Sequence, residues 1–219
     1  MYSGDKSGGN TLQTSDNRND RAYHHGDLKQ SLLDETARIL REEGLDALSL
    51  RRLATQLGVS RTAPYNHYAN KESLLCAVAE EGFRRFRLAM EHVEQGKQFK
   101  DGQSMMRAYA FAYVSFAREN QEYYDLMYGR SSWQSEKHGN SLSETARTTL
   151  RDFVQRLRRY QEQRQVRSDV DVAEFAQLYW GTLHGISRLL LDGVYSKSLS
   201  IKQRCNGAAD MLWQQLNPQ

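Results

Sequence analysis

Between Ser49 and Tyr68 the chain carries two short amphipathic segments separated by a glycine, a pattern few folds accommodate. Leu50, Leu53, Ala54 and Leu57 recur at helical spacing and form one apolar stripe, which predicts a helix over 49–57. Gly58 ends it, because glycine takes the left-handed conformation that helix ends often require. Val59 is apolar and suits the corner between two packed helices. Ser60 is an N-cap residue for a second helix over 60–68. Two short helices joined by a tight turn are the layout of a helix-turn-helix, which lays its second helix in a DNA major groove. The charge agrees. From Arg51 to Lys71 the ionic residues are Arg51, Arg52, Arg61 and Lys71, with no Asp or Glu, in a chain of net charge only +3. Such a patch gains free energy by releasing counterions condensed on phosphates. The same pattern also describes a helical hairpin with a solvated basic face.

The rest of the chain reads as helix. Its prolines are Pro64 and Pro218, so nothing interrupts long helices between them, and Val and Ile are scarce beside Leu, Ala, Gln, Glu and Arg. The expected fold class is all-α: an N-terminal three-helix helix-turn-helix domain followed by a larger helical domain. Cys76 and Cys205 match no metal or redox spacing, which predicts free thiols in a reducing cytoplasm. No apolar run reaches the ~18 residues of a membrane span, so no membrane partner is expected. A hydrophobic signal segment is missing at the N-terminus, which agrees with a cytoplasmic location. With no nucleophile–base spacing, metal pair or glycine-rich phosphate loop in view, neither an enzyme nor a cofactor is expected.

Along the chain, residues 1–25 form a polar tail expected to be disordered, with Arg18, Arg21, His24 and His25 as an arm that either touches a neighbouring groove or is simply flexible. The DNA-binding domain is expected over 26–72 and the second domain over 73–219. Helix 1 is placed from Asp27 to Gly44, with Leu28, Leu32, Leu33, Ala37 and Leu40 buried. A helix from Lys71 continues past Met90, and Gln95 to Gly102 is a loop. Further helices are expected from Met105 through Phe116, over 121–128, over 143–165, from Asp171 to about Asp192 and from Ser200 to Leu216. Gly129 to Asn140 is expected to be a loop holding Trp133.

The run LATQLGVSRTAPYNHYANKESLL, residues 53–75, resembles the DNA-binding signature of the TetR family of bacterial transcription regulators. The likeness lies in Gly58, Val59 and Ser60 at the turn, Tyr65, His67 and Tyr68 at the end of the recognition helix, and Lys71 opening the next one. Upstream, LLDETARILREEGLDALSLRRLA is similar to the family's first helix and linker, so the likeness spans about residues 27–76. It implies that Arg61, Thr62 and Ala63, next to Ser60, face base edges, and that Tyr65, His67, Ser49 and Lys71 hold the phosphate backbone. Arginine suits a guanine edge because its fork donates to O6 and N7 together. Asn66 suits either an adenine or a phosphate. Tyr68 falls where the family places a core aromatic. Pro64 departs from the usual apolar residue there; at the fourth position it costs a helix little, so the helix is expected to survive with a distorted start.

Downstream, Trp180-Gly181-Thr182-Leu183-His184-Gly185 resembles the Trp-x-x-x-His-Gly sequence of one TetR C-terminal subfamily. Trp180 and His184 are four apart and lie side by side on a helix, as do Gly181 and Gly185, which allow close helix approach. Trp180 and His184 line a ligand pocket or else pack a helix junction. No second ligand stands at metal spacing near His184. Tyr109, Tyr113, Phe116, Tyr124 and Trp133 are candidate pocket residues or ordinary core, and suit a small apolar or aromatic effector. The resemblance implies a ligand-responsive repressor that binds a palindromic, double-stranded DNA operator as a homodimer, paired through about 171–192 and 200–216. The alternatives are an activator, a ligand-independent DNA-binding protein, or a helical small-molecule carrier or enzyme.

Overall fold

Short polar side chains decide where most helices begin. The computed structural model describes residues 25–95, 99–129, 136–195 and 198–217. Its helices are α1 His25–Glu43, α2 Leu50–Gln56, α3 Lys71–Glu94, α4 Gly102–Glu119, α5 Gln121–Tyr128, α6 Glu136–Glu162, α7 Val172–Leu191 and α8 Ile201–Leu216. Two 3₁₀ turns, Leu45–Ala47 and Ala63–Asn66, complete the described elements. Ser49 caps α2 by accepting the amide of Arg52. Asn70 and Ser73 close a capping box on α3, Asp101 caps α4, Asp171 caps α7, and Ser200 with Gln203 boxes α8. Each cap satisfies amides that the first helical turn leaves without a partner.

The first three segments fold around Leu32, Ile39, Leu53, Ala54 and Leu74, all fully buried. Tyr68 joins this core, as its position in the motif implied. Gly58 takes a φ of 67°, in the left-handed region that favours glycine, and the chain doubles back there as Val59 donates its amide to Ala54. α3 then runs 24 residues without a break, packing against α1, α4, α5 and α6. It passes straight through positions 72 and 73, where the sequence suggests one domain gives way to the next. α4 packs most extensively against α8, closely enough that a Cβ on Gly102 would stand 2.5 Å from the Trp213 ring. α7 lies across α4 and α6 and completes the second core around Phe83, Met105, Tyr124 and Tyr179. No described helix is long and apolar enough to cross a membrane.

Four expectations need correction. The recognition segment is not an α-helix over 60–68 but a 3₁₀ turn over 63–66. Pro64 has no amide to donate. Ala63, Tyr65 and His67 instead reach back three residues, to Ser60, Thr62 and Pro64 at 3.0–3.1 Å, and only Tyr68 spans four. Ser60 does not cap that turn; its hydroxyl meets the Thr62 hydroxyl at 3.2 Å. α6 starts at Glu136, seven residues before the expected Ser143, so the helix extends across Gly139 and Asn140. Gly181 and Gly185 bring no other described helix close: among the described residues a Cβ on either would meet nothing within 4 Å. The expected tail and arm up to His24, and Trp133, lie outside the described residues, while His25 opens α1.

Candidate functional site

Arg61 and Thr62 stand exposed at the entrance to the 3₁₀ turn, with Ala63 half-buried behind them. Pro64 faces inward, and Tyr65 and Asn66 face out; Tyr65 keeps 47% of its surface exposed, unusual for so large an aromatic side chain. His67 is half-buried beside Tyr68, ring centroids 6.4 Å apart. The Lys71 ammonium donates to the Leu45 carbonyl at 2.7 Å and so ties the linker after α1 to the first turn of α3. Ser49 uses its hydroxyl on its own helix end.

The basic run is less uniform than its composition suggests. Arg52 donates to both carboxylate oxygens of Glu43, at 2.6 and 2.7 Å, which cancels its charge. Arg51 and Arg61 are exposed and make no ion pair among the described residues. Arg51 therefore joins the candidate surface. No local signal identifies it, since the choice between Arg51 and Arg52 rests on a carboxylate eight or nine positions upstream in another helix.

In the second domain, Trp180 and His184 address the same group of tyrosines. Trp180 donates from Nε1 to the Tyr128 hydroxyl at 3.1 Å, and the Tyr124 hydroxyl meets His184 Nδ1 at 2.8 Å. The Tyr113 hydroxyl lies 3.3 Å from that of Tyr124 and 3.2 Å from that of Tyr128, which closes a buried network between α4, α5 and α7. Burial, with help from the nearby Arg188 guanidinium, holds the His184 pKa below its ordinary value. The unfolded chain then takes up a proton first as pH falls below about 6.5, so stability present above that point is lost below it. Thermal unfolding between about pH 7.5 and 5.5 is expected to show a drop in midpoint that His184→Gln reduces. An equal drop in both proteins contradicts the assignment.

Beside this network a cleft of about 440 Å³, counting its open mouth, lies between four helices. α3 contributes Phe86 and Met90, α4 Tyr109 and Tyr113, α6 Phe153 and Arg156, and α7 Trp180 and Leu183. Of the expected pocket residues, Tyr109, Tyr113 and Trp180 line it. Phe116, Tyr124 and His184 do not: Phe116 packs edge-on against Phe86 at 5.3 Å, and the other two stand behind Tyr113. Phe86, Met90, Phe153 and Arg156 were missed, because helical periodicity marks a buried face without saying which helices leave a gap between them. Three ion pairs tie α3 to α6 at the rim. Arg87 Nε donates to Asp152 at 2.8 Å, and Arg156 and Arg159 share one oxygen of Glu94, each at 3.3 Å. No cluster of three or more His, Cys, Asp or Glu suited to a metal ion occurs among the described residues.

Comparison with known proteins gives the arrangement a context. Residues 32–78 match the family described as bacterial regulatory proteins, tetR family, and residues 106–212 the tetracyclin repressor-like C-terminal domain. The uncharacterized HTH-type transcriptional regulator YobS of Bacillus subtilis is 28% identical over 100 residues, 46% of this chain and 51% of that protein. The class D tetracycline repressor of Escherichia coli is 40% identical over 53 residues, 24% of each chain. The chain thus spans about half the length of the first relative and a quarter of the second. A solved structure of a protein of unknown function from Rhodococcus sp. RHA1 superposes with a TM-score of 0.78 and 30% identity, over 90% of this chain and all of that one. The TetR family regulator PfmR from Thermus thermophilus shares the fold at a TM-score of 0.63 and 22% identity, over 85% of this chain and 99% of its own.

Proposed function

The chain belongs to the TetR family of bacterial regulatory proteins, and from that premise we propose that it is a homodimeric, effector-responsive repressor of transcription in the cytoplasm. The observation that carries the reading is α3. Four residues separate its start from the Ala63–Asn66 turn, and its later turns supply Phe86 and Met90 to the cleft. At about 1.5 Å per residue this one element carries Phe86 and Met90 about 22–28 Å from Lys71 at its start. In this reading Arg61, Thr62 and Ala63 address base edges next to Ser60. Tyr65, Asn66, His67, Ser49, Lys71 and the additional Arg51 hold phosphates, which fix register without reading sequence. An effector in the cleft acts by its differential affinity for two positions of α3, only one of which sets the recognition turns to fit the DNA.

The outer face of α7 and α8 supports a dimer over 171–192 and 200–216. Leu178 and Met211 each keep 60% of their surface exposed, and Gly181, Gly185 and Gly207 leave open space there for another helix. The Trp180–Gly185 sequence supports a finer reading, membership of the Trp-x-x-x-His-Gly group. The domains are drawn at 26–72 and 73–219, with α3 shared between them.

Leu178→Arg combined with Met211→Arg is expected to convert a dimer into a folded monomer in sedimentation. The same variant is expected to lose retardation of DNA from the region upstream of its own gene, since a dimer places two recognition elements about 34–36 Å apart and a monomer cannot. A wild-type protein that does not bind such DNA at low salt, or a monomer that binds it as well as the wild type, overturns the reading.

A further inference from the structure

One corner of the cleft wall pairs a buried hydroxyl that has no partner with an arginine most of whose donors are unused. Tyr109 is 3% exposed, and its hydroxyl makes no hydrogen bond of good geometry, although the Glu94 carboxylate stands near it. Arg156 is 9% exposed and lies over the Tyr109 ring, its guanidinium carbon 5.3 Å from the centroid. Its one hydrogen bond among the described residues runs from Nε to Glu94 at a long 3.3 Å, to an oxygen that Arg159 also uses. Arg156 thus has five N–H donors and one shared acceptor, next to an unpaired buried hydroxyl. Leaving the Tyr109 hydroxyl unpaired costs its desolvation, while the guanidinium nitrogens that Glu94 does not use keep contact with solvent. The carboxylates of the cleft do not fill this corner: Asp152 is held by Arg87, and Glu91 is only half-buried. The remaining wall is apolar and aromatic, with Phe86, Tyr113 and Trp180 packed at centroid distances of 5.0–5.8 Å.

We propose that the cleft takes a small organic acid, its carboxylate held by Arg156 and Tyr109 and its apolar body, one aromatic ring or an equally short chain, lying against Phe86, Phe153 and Trp180. This rests on the effector reading above and gives it a ligand class. Arginine pairs with a carboxylate through two parallel N–H bonds, which the present contact with Glu94 does not use. A ligand carboxylate on Arg156 also competes with Glu94, a tie from α3 to α6, so occupancy bears directly on where α3 sits.

Calorimetric titration of the full-length protein, without DNA, tests this. The probes are benzoate, phenylacetate and cinnamate, their primary amides, and benzylamine. At least one acid is expected to bind, its amide about tenfold more weakly or worse, and benzylamine not at all. Arg156→Met keeps the apolar stem and is expected to lower the acid's affinity about tenfold or more. Tyr109→Phe removes only the unpaired hydroxyl; it is expected to weaken the acid several-fold while leaving the unfolding midpoint unchanged or raised, and it carries the test if Arg156→Met fails to fold. No binding of any acid at millimolar concentration, amides or benzylamine binding as tightly as the acids, or wild-type affinity in the folded variants overturns the proposal. With no DNA present, such a failure leaves operator binding to be judged separately.

Discussion

Phe86→Ala is expected to lower the free energy of unfolding by about 3–5 kcal/mol, a large share of the roughly 5–15 kcal/mol that holds a native protein together. Phe86 is 1% exposed and sits where α3 meets the rest of the second domain, its ring 5.0 Å from Tyr113, 5.3 Å from Phe116 and 5.6 Å from Trp180. Truncation removes a ring's worth of buried apolar surface and its edge-on contacts, and the surrounding helices relax only in part. Because one side of the ring borders the cleft, some of that loss is already present in the wild type, which places the expected value toward the lower end. Urea unfolding reads it directly. A change below about 1 kcal/mol indicates that the aromatic wall does not support the fold in the way described here.

The second large effect lies at the other end of α3. Arg61→Ala is expected to weaken operator binding by about 2–6 kcal/mol, since a bidentate contact to a guanine is worth about 1–3 kcal/mol and a homodimer makes it twice. At 1.4 kcal/mol per factor of ten, that is about thirty-fold to twenty-thousand-fold in affinity. Arg52→Ala serves as the contrast. Its guanidinium is already held by Glu43, so it has less to offer a phosphate, and its main effect is expected on the packing of α2 against α1. Loss of affinity with Arg52→Ala but not with Arg61→Ala reverses the assignment of the surface.

The parts of this fold that local chemistry decides were legible in the sequence. Ser49, Asp171 and Ser200 cap helices because a short polar side chain at that place satisfies a free amide whatever lies far away. α5 occupies 121–128 as its apolar pattern indicates. The recognition turn was not legible. Pro64 at a fourth position looked tolerable, but in so short a segment one missing amide leaves no following turns to restore α geometry, and the bonds contract to a three-residue reach. α6 runs through Gly139 and Asn140, residues that favour a loop on their own; context overrides that preference.

Legibility at the candidate sites divides the same way. The exposed Arg61, Thr62, Tyr65 and Asn66 follow from the motif, because its order and spacing fix which residues reach the surface. The cleft does not. Tyr124 and His184 look like pocket residues but stand one layer behind it, while Phe86, Phe153 and Arg156 reach it from helices that only the tertiary fold brings together. Which of Arg51 and Arg52 keeps its charge is settled by Glu43, a contact between two helices.

In the proposed function an exposed 3₁₀ turn, set on a dimer and joined by α3 to the cleft, reads a specific DNA sequence. Selection of duplexes from a random pool by the full-length protein, followed by affinity measurement on the selected sequence, tests it most directly. The account predicts an enriched, roughly palindromic site with half-site centres one helical turn apart, about 10–10.5 base pairs or a multiple of it, and a loss of at least about thirty-fold in affinity with Arg61→Ala. A pool that yields no common sequence, or a selected site that Arg61→Ala binds as tightly as the wild type does, contradicts it.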